Sequence, residues 1–238
     1  MQPLVLLAGM NCTRDLWARG GLDDALTPDL TIDQLDRQID RLLDELPPVF
    51  VIGGLSLGAI VAMSLVVRAP HRVAGLLVAA ANAKAPTDAQ RSAWRGWEER
   101  LAAGESPRAL QRGILPALLS PRARAERPDL VERTLRMGAD TPADALEAQL
   151  RLQATRVDLR PALRSVNVPT LVVSGAEDAL CPPAFHEEIA EAVPGARLET
   201  VDAGHLIPLE RPDAFGAIVR RFRTEVSRAR SAGCAGAP

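Results

Sequence analysis

The chain has 238 residues, of which 47% are hydrophobic, and its formal net charge at pH 7 is −2. This length is sufficient to bury one substantial core and falls within the size range of a single domain. The near-neutral charge excludes the strongly basic surface that nucleic-acid-binding domains use. A small, near-neutral partner is therefore expected, while the oligomeric state is left open.

The three cysteines, Cys12, Cys181 and Cys234, are odd in number and widely spaced. They provide neither a disulfide framework nor the paired spacing of a zinc site. The N-terminus has neither the basic segment nor the cleavage motif of a signal peptide, and no apolar stretch approaches the length of a membrane span. These features predict a cytoplasmic protein that does not enter a membrane.

Short apolar runs bounded by turn-forming residues predict buried strands. In chain order these runs are Leu4 to Ala8, Val49 to Ile52, Val73 to Ala80, Thr170 to Ser174 and Leu198 to Val201. A further run at 25–30 is a weaker candidate because it contains Pro28, which cannot donate a backbone hydrogen bond to a sheet.

Amphipathic stretches with helical spacing alternate with these runs. They cover Ile32 to Leu46, Leu57 to Arg68, Ala184 to Val193 and Pro212 to Val226. Alternating strands and helices favour parallel strands joined by right-handed crossovers. We therefore predict an α/β fold with a doubly wound, mainly parallel sheet of about six strands, covered by helices on both faces.

The stretch 83–165 breaks this alternation, because it has no strand-like run and its helical patterns are repeatedly interrupted by proline. We predict that it forms an inserted helical cap. The core is then formed by 1–82 and 166–230, and the small, Gly/Ala-rich end 231–238 is expected to be disordered, with Cys234 exposed.

One five-residue sequence, Gly54-Leu55-Ser56-Leu57-Gly58, lies between a predicted strand and a predicted helix. The two glycines allow a strained turn to pass close to neighbouring backbone and to lift the serine above the sheet edge. Amides at the start of the helix favour negative charge that develops nearby. The pattern predicts a nucleophilic serine, and the alternative is a Gly-rich turn with an incidental serine.

A serine hydroxyl is a weak nucleophile unless a base takes its proton, and the chain has three histidines. His205 follows the strand that ends at Val201, so it lies at the carboxyl edge where open α/β sheets bind ligands. His71 is expected to cap a helix or to be solvated. His186 lies in a charged helix, where exposure is expected. His205 is thus the candidate base, with simple burial in the core as the alternative.

An imidazole base needs a carboxylate that orients it. Glu177 and Asp178 both follow the strand Thr170 to Ser174, at the same edge of the sheet. Adjacent loop residues point in different directions, so the sequence leaves both in competition. We prefer Asp178, which gives the chain order Ser56, Asp178, His205.

Three segments resemble the nucleophile, acid and base segments of the α/β-hydrolase superfamily. They are Leu55 to Gly58, Gly175 to Asp178 followed by Pro182, and Ala203 to His205 followed by Leu209 to Pro212. The similarity spans roughly Leu4 to Val226. It implies that a small-molecule acyl substrate, an ester, thioester or amide, is hydrolysed through an acyl-enzyme without a metal or organic cofactor.

The resemblance also implies an oxyanion hole formed by backbone amides, here those of Leu57 and Met10. Met10 lies in the loop after the first strand, where Ala8-Gly9 replaces the common His-Gly of the family. The usual N-terminal hairpin is not seen before that strand, which leaves about six strands where eight are usual.

Several other side chains are candidates for the substrate pocket. Cys12 lies in the loop assigned to the oxyanion hole, so lining the pocket is favoured over a nucleophilic role. Trp94 and Trp97 share one helix face; core packing of the cap is the first interpretation, and lining an apolar acyl pocket is the second. Cys181 is expected to pack beside the acid loop.

The arginines of the cap, Arg151, Arg156 and Arg160, could meet an anionic substrate, but solvated charge is the preferred interpretation. Two other functions stay open. The same residues could serve a cyclase, a lyase or an enzyme that cleaves carbon–carbon bonds, because the fold alone does not determine the chemistry. The chain could also be an inactive relative that only binds a ligand.

Overall fold

The computed structural model describes the backbone of residues 1–235 and the side chains of residues 1–231. Five strands form one parallel sheet in the order β1-β2-β3-β4-β5. They are β1 (Leu4–Leu7), β2 (Phe50–Leu55), β3 (Val73–Ala79), β4 (Thr170–Gly175) and β5 (Arg197–Val201). Each of the clearer predicted runs is a strand, and the α/β prediction is confirmed.

The weaker candidate at 25–30 does not form a strand. Leu26 makes an isolated parallel bridge to Val5. Its amide donates to the Leu4 carbonyl and its carbonyl accepts from the Leu6 amide, both at 2.8 Å. Pro28 has no N–H, so the pairing ends there. The described sheet therefore has five strands. The sixth candidate, residues 25–30, contributes only this bridge beside β1.

The described residues form eleven α-helices. They are α1 (Leu35–Glu45), α2 (Leu57–Arg68), α3 (Asp88–Ala102), α4 (Pro107–Leu118), α5 (Pro121–Glu126), α6 (Pro128–Asp140), α7 (Ala143–Thr155), α8 (Arg160–Leu163), α9 (Pro183–Ala192), α10 (Ile207–Glu210) and α11 (Pro212–Ala235). Two short 3-10 helices cover Arg14–Trp17 and Pro70–Arg72. None of these helices combines the length and the apolar character needed to cross a bilayer.

Helices cover both faces of the sheet. Successive side chains of a strand point to opposite faces, so each strand contributes to an apolar cluster on either side. In β1, Val5 and Leu7 belong to an apolar cluster with residues of α1, α2 and α9. Leu4 and Leu6 belong to the cluster on the other face, which includes residues of α11. Every residue of β1 to β4 is buried, as expected for a parallel sheet that is covered on both sides.

The cap segment, residues 83–165, lies between β3 and β4 and is helical, with no strand in this fully described stretch. Three prolines of this segment begin helices. Pro107, Pro121 and Pro128 each occupy the first helical position, where a backbone N–H has no partner within the helix and its absence costs nothing. Leu118 and Leu119 at the end of α4 join the apolar cluster of the sheet. The division into core and cap at residue 83 and residue 166 stays a prediction.

The C-terminal end differs from the prediction. Helix α11 continues to Ala235, so residues 231–235 are helical and not disordered. The Arg- and Ala-rich sequence before Gly233 has good helix propensity, which explains the extension. Residues 236–238, and the side chain of Cys234 with its predicted exposure, lie outside the described part of the chain.

The approach of α2 to β1 yields a stability prediction. A β-carbon at Gly58 would lie 2.0 Å from the Leu7 carbonyl oxygen, so Gly58→Ala must push β1 and α2 apart. We expect the free energy of unfolding, measured by urea titration, to fall by about 1–3 kcal/mol or more, as in other overpacked cores.

A matched control is Gly113→Ala in α4, where a β-carbon meets nothing within 4 Å. This substitution should raise the free energy of unfolding by about 0.5–1 kcal/mol, because alanine favours a helix interior over glycine. Equal stability of Gly58→Ala and the wild type would contradict the steric argument.

Candidate active site

The turn between β2 and α2 holds Ser56 in a strained conformation, with φ 55° and ψ −115°. Its amide donates to the Ala79 carbonyl at 2.9 Å, and its carbonyl accepts from the Ile60 amide at 3.1 Å. A β-carbon at Gly54 would lie 2.2 Å from the backbone of Gly58, so the turn requires glycine there. The turn thus places Ser56 on the wall of a cavity at the carboxyl end of the sheet.

His205 lies in the loop after β5, lines the same cavity as Ser56 and is hydrogen-bonded to Asp178. Its Nδ1 is 2.8 Å from Oδ2 and 3.0 Å from Oδ1 of the carboxylate. The carboxylate also accepts the amides of Leu180 at 2.9 Å and Cys181 at 2.8 Å. An Nδ1–H of His205 can donate to this carboxylate, and in that tautomer Nε2 is free to accept a proton.

The structure separates the two competing carboxylates. Asp178 is buried, with 4% of its surface exposed, and contacts His205. Glu177 is exposed, and only its backbone is held, through its amide and the Ala203 carbonyl at 2.9 Å. Of the two carboxylates, Asp178 is therefore the one that is hydrogen-bonded to His205, and its role as the orienting group stays a prediction.

A second buried carboxylate, Glu210, holds the His205 loop against the cap segment. It accepts the amide of Gly204 at 3.0 Å, the amide of Ser120 at 2.9 Å and the Ser120 hydroxyl at 2.6 Å. In the sequence, Glu210 is identifiable only as part of the segment Leu209 to Pro212. Its role depends on Ser120, which lies 90 residues away, so no local pattern could reveal it.

The loop after β1 brings Met10 to the cavity beside Ser56. Leu57 is the first residue of α2, so its amide has no acceptor within the helix. Both amides predicted for the oxyanion hole therefore belong to segments that border Ser56.

Buried amide side chains connect this loop to the cap segment. Asn11 adopts a left-handed conformation, with φ 57°. Its backbone N–H donates to Gln149 Oε1 at 2.8 Å. Its side-chain Nδ2 donates to Gln111 Oε1 and to the Pro107 carbonyl, both at 2.9 Å. Helices α4 and α7 thus hold the conformation of the loop that carries Met10.

The cavity has a volume of about 260 Å³ and lies between the sheet edge and the cap segment. Cys12, Trp94 and Trp97 all line it, as the sequence analysis considered for each. The two tryptophans also pack against the apolar cluster of Leu110, Leu146 and Leu150. They therefore pack in the cap segment and line the cavity, while a role in binding an acyl group stays a prediction.

Neither buried cysteine that lines the cavity is ionised at neutral pH. Burial raises the pKa of the Cys12 thiol to about 12. Burial and the neighbouring Asp178 carboxylate raise the pKa of the Cys181 thiol to about 12. A protonated thiol is a poor nucleophile, which supports a lining role for Cys12 and packing beside the acid loop for Cys181.

Asp178, Cys181 and His205 offer ligand atoms within 4.8 Å of one another, so they form the one cluster in the described residues that could hold a metal ion. The chemistry of the donors fits a metal poorly. The carboxylate already accepts two backbone amides and the imidazole, and the thiol is protonated. The contacts fit an orienting role for Asp178 better than a metal centre.

Arg156 corrects an expectation of the sequence analysis. It was expected to be solvated, but only 5% of its surface is exposed and it lines the cavity. Arg151 and Arg160 do carry solvated charge: Arg151 pairs with Glu98 at 2.9 Å, and Arg160 pairs with Asp158 at 2.6 Å. Helical spacing in the sequence could not distinguish these three arginines.

His186 also differs from its predicted exposure, because α9 turns it towards β4 and its side chain is fully buried. Its Nε2 accepts the Ala81 amide at 3.1 Å, so its proton lies on Nδ1, which is 3.2 Å from Ser174 Oγ. Burial lowers the pKa of this imidazole. His71, by contrast, is exposed in the 3-10 helix after α2, as predicted.

A sequence profile described as the alpha/beta hydrolase family matches residues 9–218. The chain belongs to the alpha/beta hydrolase family. Among curated relatives in this family, the pimeloyl-[acyl-carrier protein] methyl ester esterase of Aromatoleum aromaticum is 34% identical over 198 residues, covering 78% of each protein. The 3-oxoadipate enol-lactonase 2 of Acinetobacter baylyi is 26% identical over 196 residues, covering 80% of this chain and 72% of that protein.

Solved alpha/beta hydrolases have the same fold. The thermophilic esterase from Thermogutta terrifontis, determined with malate bound, superimposes with a TM-score of 0.88 at 26% identity, covering 95% of this chain and 90% of that chain. This esterase and the two curated relatives are all named as hydrolases. This alpha/beta hydrolase chain is therefore a hydrolase, which favours the enzymatic alternatives over a protein that only binds a ligand.

The burial of His186 predicts a pH dependence of stability in this alpha/beta hydrolase. The unfolded imidazole titrates near its ordinary pKa of 6.5, whereas the folded imidazole has a lower pKa. Below the unfolded pKa, the unfolded state binds a proton that the folded state does not. The free energy of unfolding should therefore fall as the pH is lowered from about 7.5 to about 5.5.

Urea titrations at several pH values measure this slope. His186→Gln, whose amide oxygen can still accept from Ala81, should reduce the slope, whereas His71→Gln at the exposed position should leave it unchanged. The assignment is wrong if the two variants keep the same slope as the wild type.

Proposed function

We propose that this hydrolase cleaves a carboxylic ester, thioester or amide of a small or medium organic substrate through an acyl-enzyme on Ser56. The observation that supports this most directly is the hydrogen bond of 2.8 Å between buried Asp178 and His205, in the wall of the cavity that also contains Ser56. This arrangement supplies a nucleophile, a base and a group that orients the base.

In the first half of the reaction, the Ser56 hydroxyl attacks the substrate carbonyl while Nε2 of His205 takes its proton. Asp178 stabilises the imidazolium through Nδ1. The amides of Met10 and Leu57 donate to the oxyanion, and the start of α2 favours the negative charge. Collapse of the tetrahedral intermediate releases the alcohol, thiol or amine, which receives the proton from His205.

In the second half, a water molecule gives a proton to His205 and attacks the acyl group on Ser56. A second tetrahedral intermediate collapses to the carboxylic acid, and His205 returns the proton to Ser56. No metal or organic cofactor takes part in either half. The sequence of steps needs only the side chains and amides that border the cavity.

Two features support an oxygen ester or lactone as the preferred substrate. The relatives include a methyl ester esterase and an enol-lactonase, both of which are named for cleaving a carbon–oxygen acyl bond. The volume of about 260 Å³ is at the lower end of ligand pockets in proteins, which favours a small substrate. In this proposal the cap segment, through Trp94 and Trp97, provides the apolar wall for the acyl group.

Substitution of the proposed nucleophile tests the covalent mechanism. We expect Ser56→Ala to lower kcat for 4-nitrophenyl butyrate by roughly 10⁴- to 10⁶-fold, as removal of a nucleophilic serine does elsewhere. Asp178→Asn should also lower kcat strongly, because the amide cannot stabilise the imidazolium, whereas Glu177→Gln at the exposed neighbour should stay within about twofold of the wild type.

A fluorophosphonate probe gives a readout that does not depend on the choice of substrate. Mass spectrometry should find the probe on Ser56 of the wild type and no labelling of Ser56→Ala. Full turnover by Ser56→Ala would exclude covalent catalysis by this residue. Labelling of Ser56 without hydrolysis of any ester would direct attention to the cyclase, lyase or carbon–carbon bond chemistry.

A further inference from the structure

Arg156 follows α7 and lines the same cavity as Ser56. It is buried, with only 5% of its surface exposed. Its guanidinium lies over the ring of Trp94, 5.4 Å from the centroid. Nη1 donates to Gln153 Oε1 at 3.0 Å and Nη2 donates to Gln90 Oε1 at 3.2 Å. All three neighbours also line the cavity, so the guanidinium is part of its wall.

The charge of this guanidinium is not balanced by the protein. Among the residues whose side chains the structure describes, no carboxylate lies within 4.0 Å of Arg156, whereas Arg151 and Arg160 each pair with two. Its two acceptors are neutral glutamine oxygens. Its Nε is buried and has no hydrogen-bond partner in the described part of the chain.

A buried cation without a counter-charge is costly, and an unsatisfied donor adds to the cost. Burial lowers the pKa of Arg156 to about 10, which still leaves the side chain protonated at neutral pH. The nearby cation Arg91 disfavours the charge further. A ligand that brings negative charge into the cavity would relieve both costs at once.

We propose that Arg156 is a specificity residue that binds a free carboxylate of the substrate, so that the enzyme prefers esters or lactones whose acyl part carries a second, ionised carboxyl group. This inference rests on the proposed function of Ser56. A guanidinium and a carboxylate are matched in charge and in planar geometry, so two parallel hydrogen bonds can form. Ser56 and Arg156 line the same cavity of about 260 Å³, so the proposed substrate places its ester at Ser56 and its carboxylate at Arg156.

A matched pair of substrates tests this preference. One is the 4-nitrophenyl hemi-ester of adipic acid, and the other is 4-nitrophenyl 6-oxoheptanoate, in which a neutral methyl ketone replaces the carboxylate. The wild type should hydrolyse the anionic ester with the higher kcat/KM. In Arg156→Gln, the ratio of kcat/KM for the anionic ester to that for the neutral ester should fall by about 10- to 100-fold.

Two further variants separate charge from structure. Arg156→Lys keeps the positive charge without the planar fork, so it should recover only part of the ratio. Arg151→Gln removes an exposed cation from α7, the helix that precedes Arg156, and should leave the ratio within about twofold. If Arg156→Gln lowers kcat/KM for both esters by the same factor, Arg156 only supports the fold and the inference is wrong.

Calorimetric titration with adipate provides a test that does not require turnover. Adipate should bind the wild type, and its Kd should rise by about tenfold or more in Arg156→Gln but not in Arg151→Gln. Thermal unfolding shows whether each variant is folded. Absence of adipate binding to the wild type together with equal kcat/KM for the two esters would overturn the inference.

The two proposals fail in different ways. If Ser56→Ala hydrolyses both esters like the wild type, the proposed function fails, while adipate binding that depends on Arg156 would still show an anion site. If Ser56 is required but the anionic ester is not preferred, the proposed function holds and the role of Arg156 is refuted.

Discussion

The close approach of the turn after β2 to its neighbours is the constraint on which the rest of the site depends. A side chain at Gly58 would collide with the backbone of β1, and one at Gly54 would collide with Gly58. Without side chains there, α2 begins directly against the sheet. At this turn Ser56 has a strained backbone and directly precedes the first residue of α2, Leu57. The strain is local, and the packing of buried strands on both sides of β2 holds it.

Buried hydrogen bonds connect the cap segment to two loops of the site. Asn11 joins the loop after β1 to α4 and α7, and Glu210 joins the His205 loop to the residue before α5. These are buried hydrogen bonds between segments far apart in sequence, where loss of one partner leaves others unsatisfied. The loop that carries Met10 and the loop that carries His205 are therefore both held by residues of the cap segment beside the cavity.

The strands of the sheet, and the residues that meet at the candidate site, could be predicted to the extent that they follow from short patterns. Ser56 and Asp178 follow buried strands, and His205 follows β5, of which only Val201 is buried. Parallel strands bring such loops to one edge. The choice between Asp178 and Glu177 could not be made from sequence, because it depends on which side chain turns inward. His186 and Arg156 were placed in solvent because polar residues usually face outward on helices. Their burial depends on distant partners, Ala81 and Trp94, that no local pattern names.

Overall charge and local charge lead to different expectations about the partner, and the proposal for Arg156 follows the local charge. A net charge of −2 describes the whole chain. Arginines at the surface, such as Arg151 and Arg160, are paired with carboxylates and screened by water. Inside a cavity of low dielectric, one unpaired guanidinium has more influence on a ligand than many exposed charges. A near-neutral chain can thus select an anion at one buried position. In this proposal, specificity follows from a buried charge that no carboxylate pairs with. Among the described residues that line the cavity of Ser56, Arg156 is that charge.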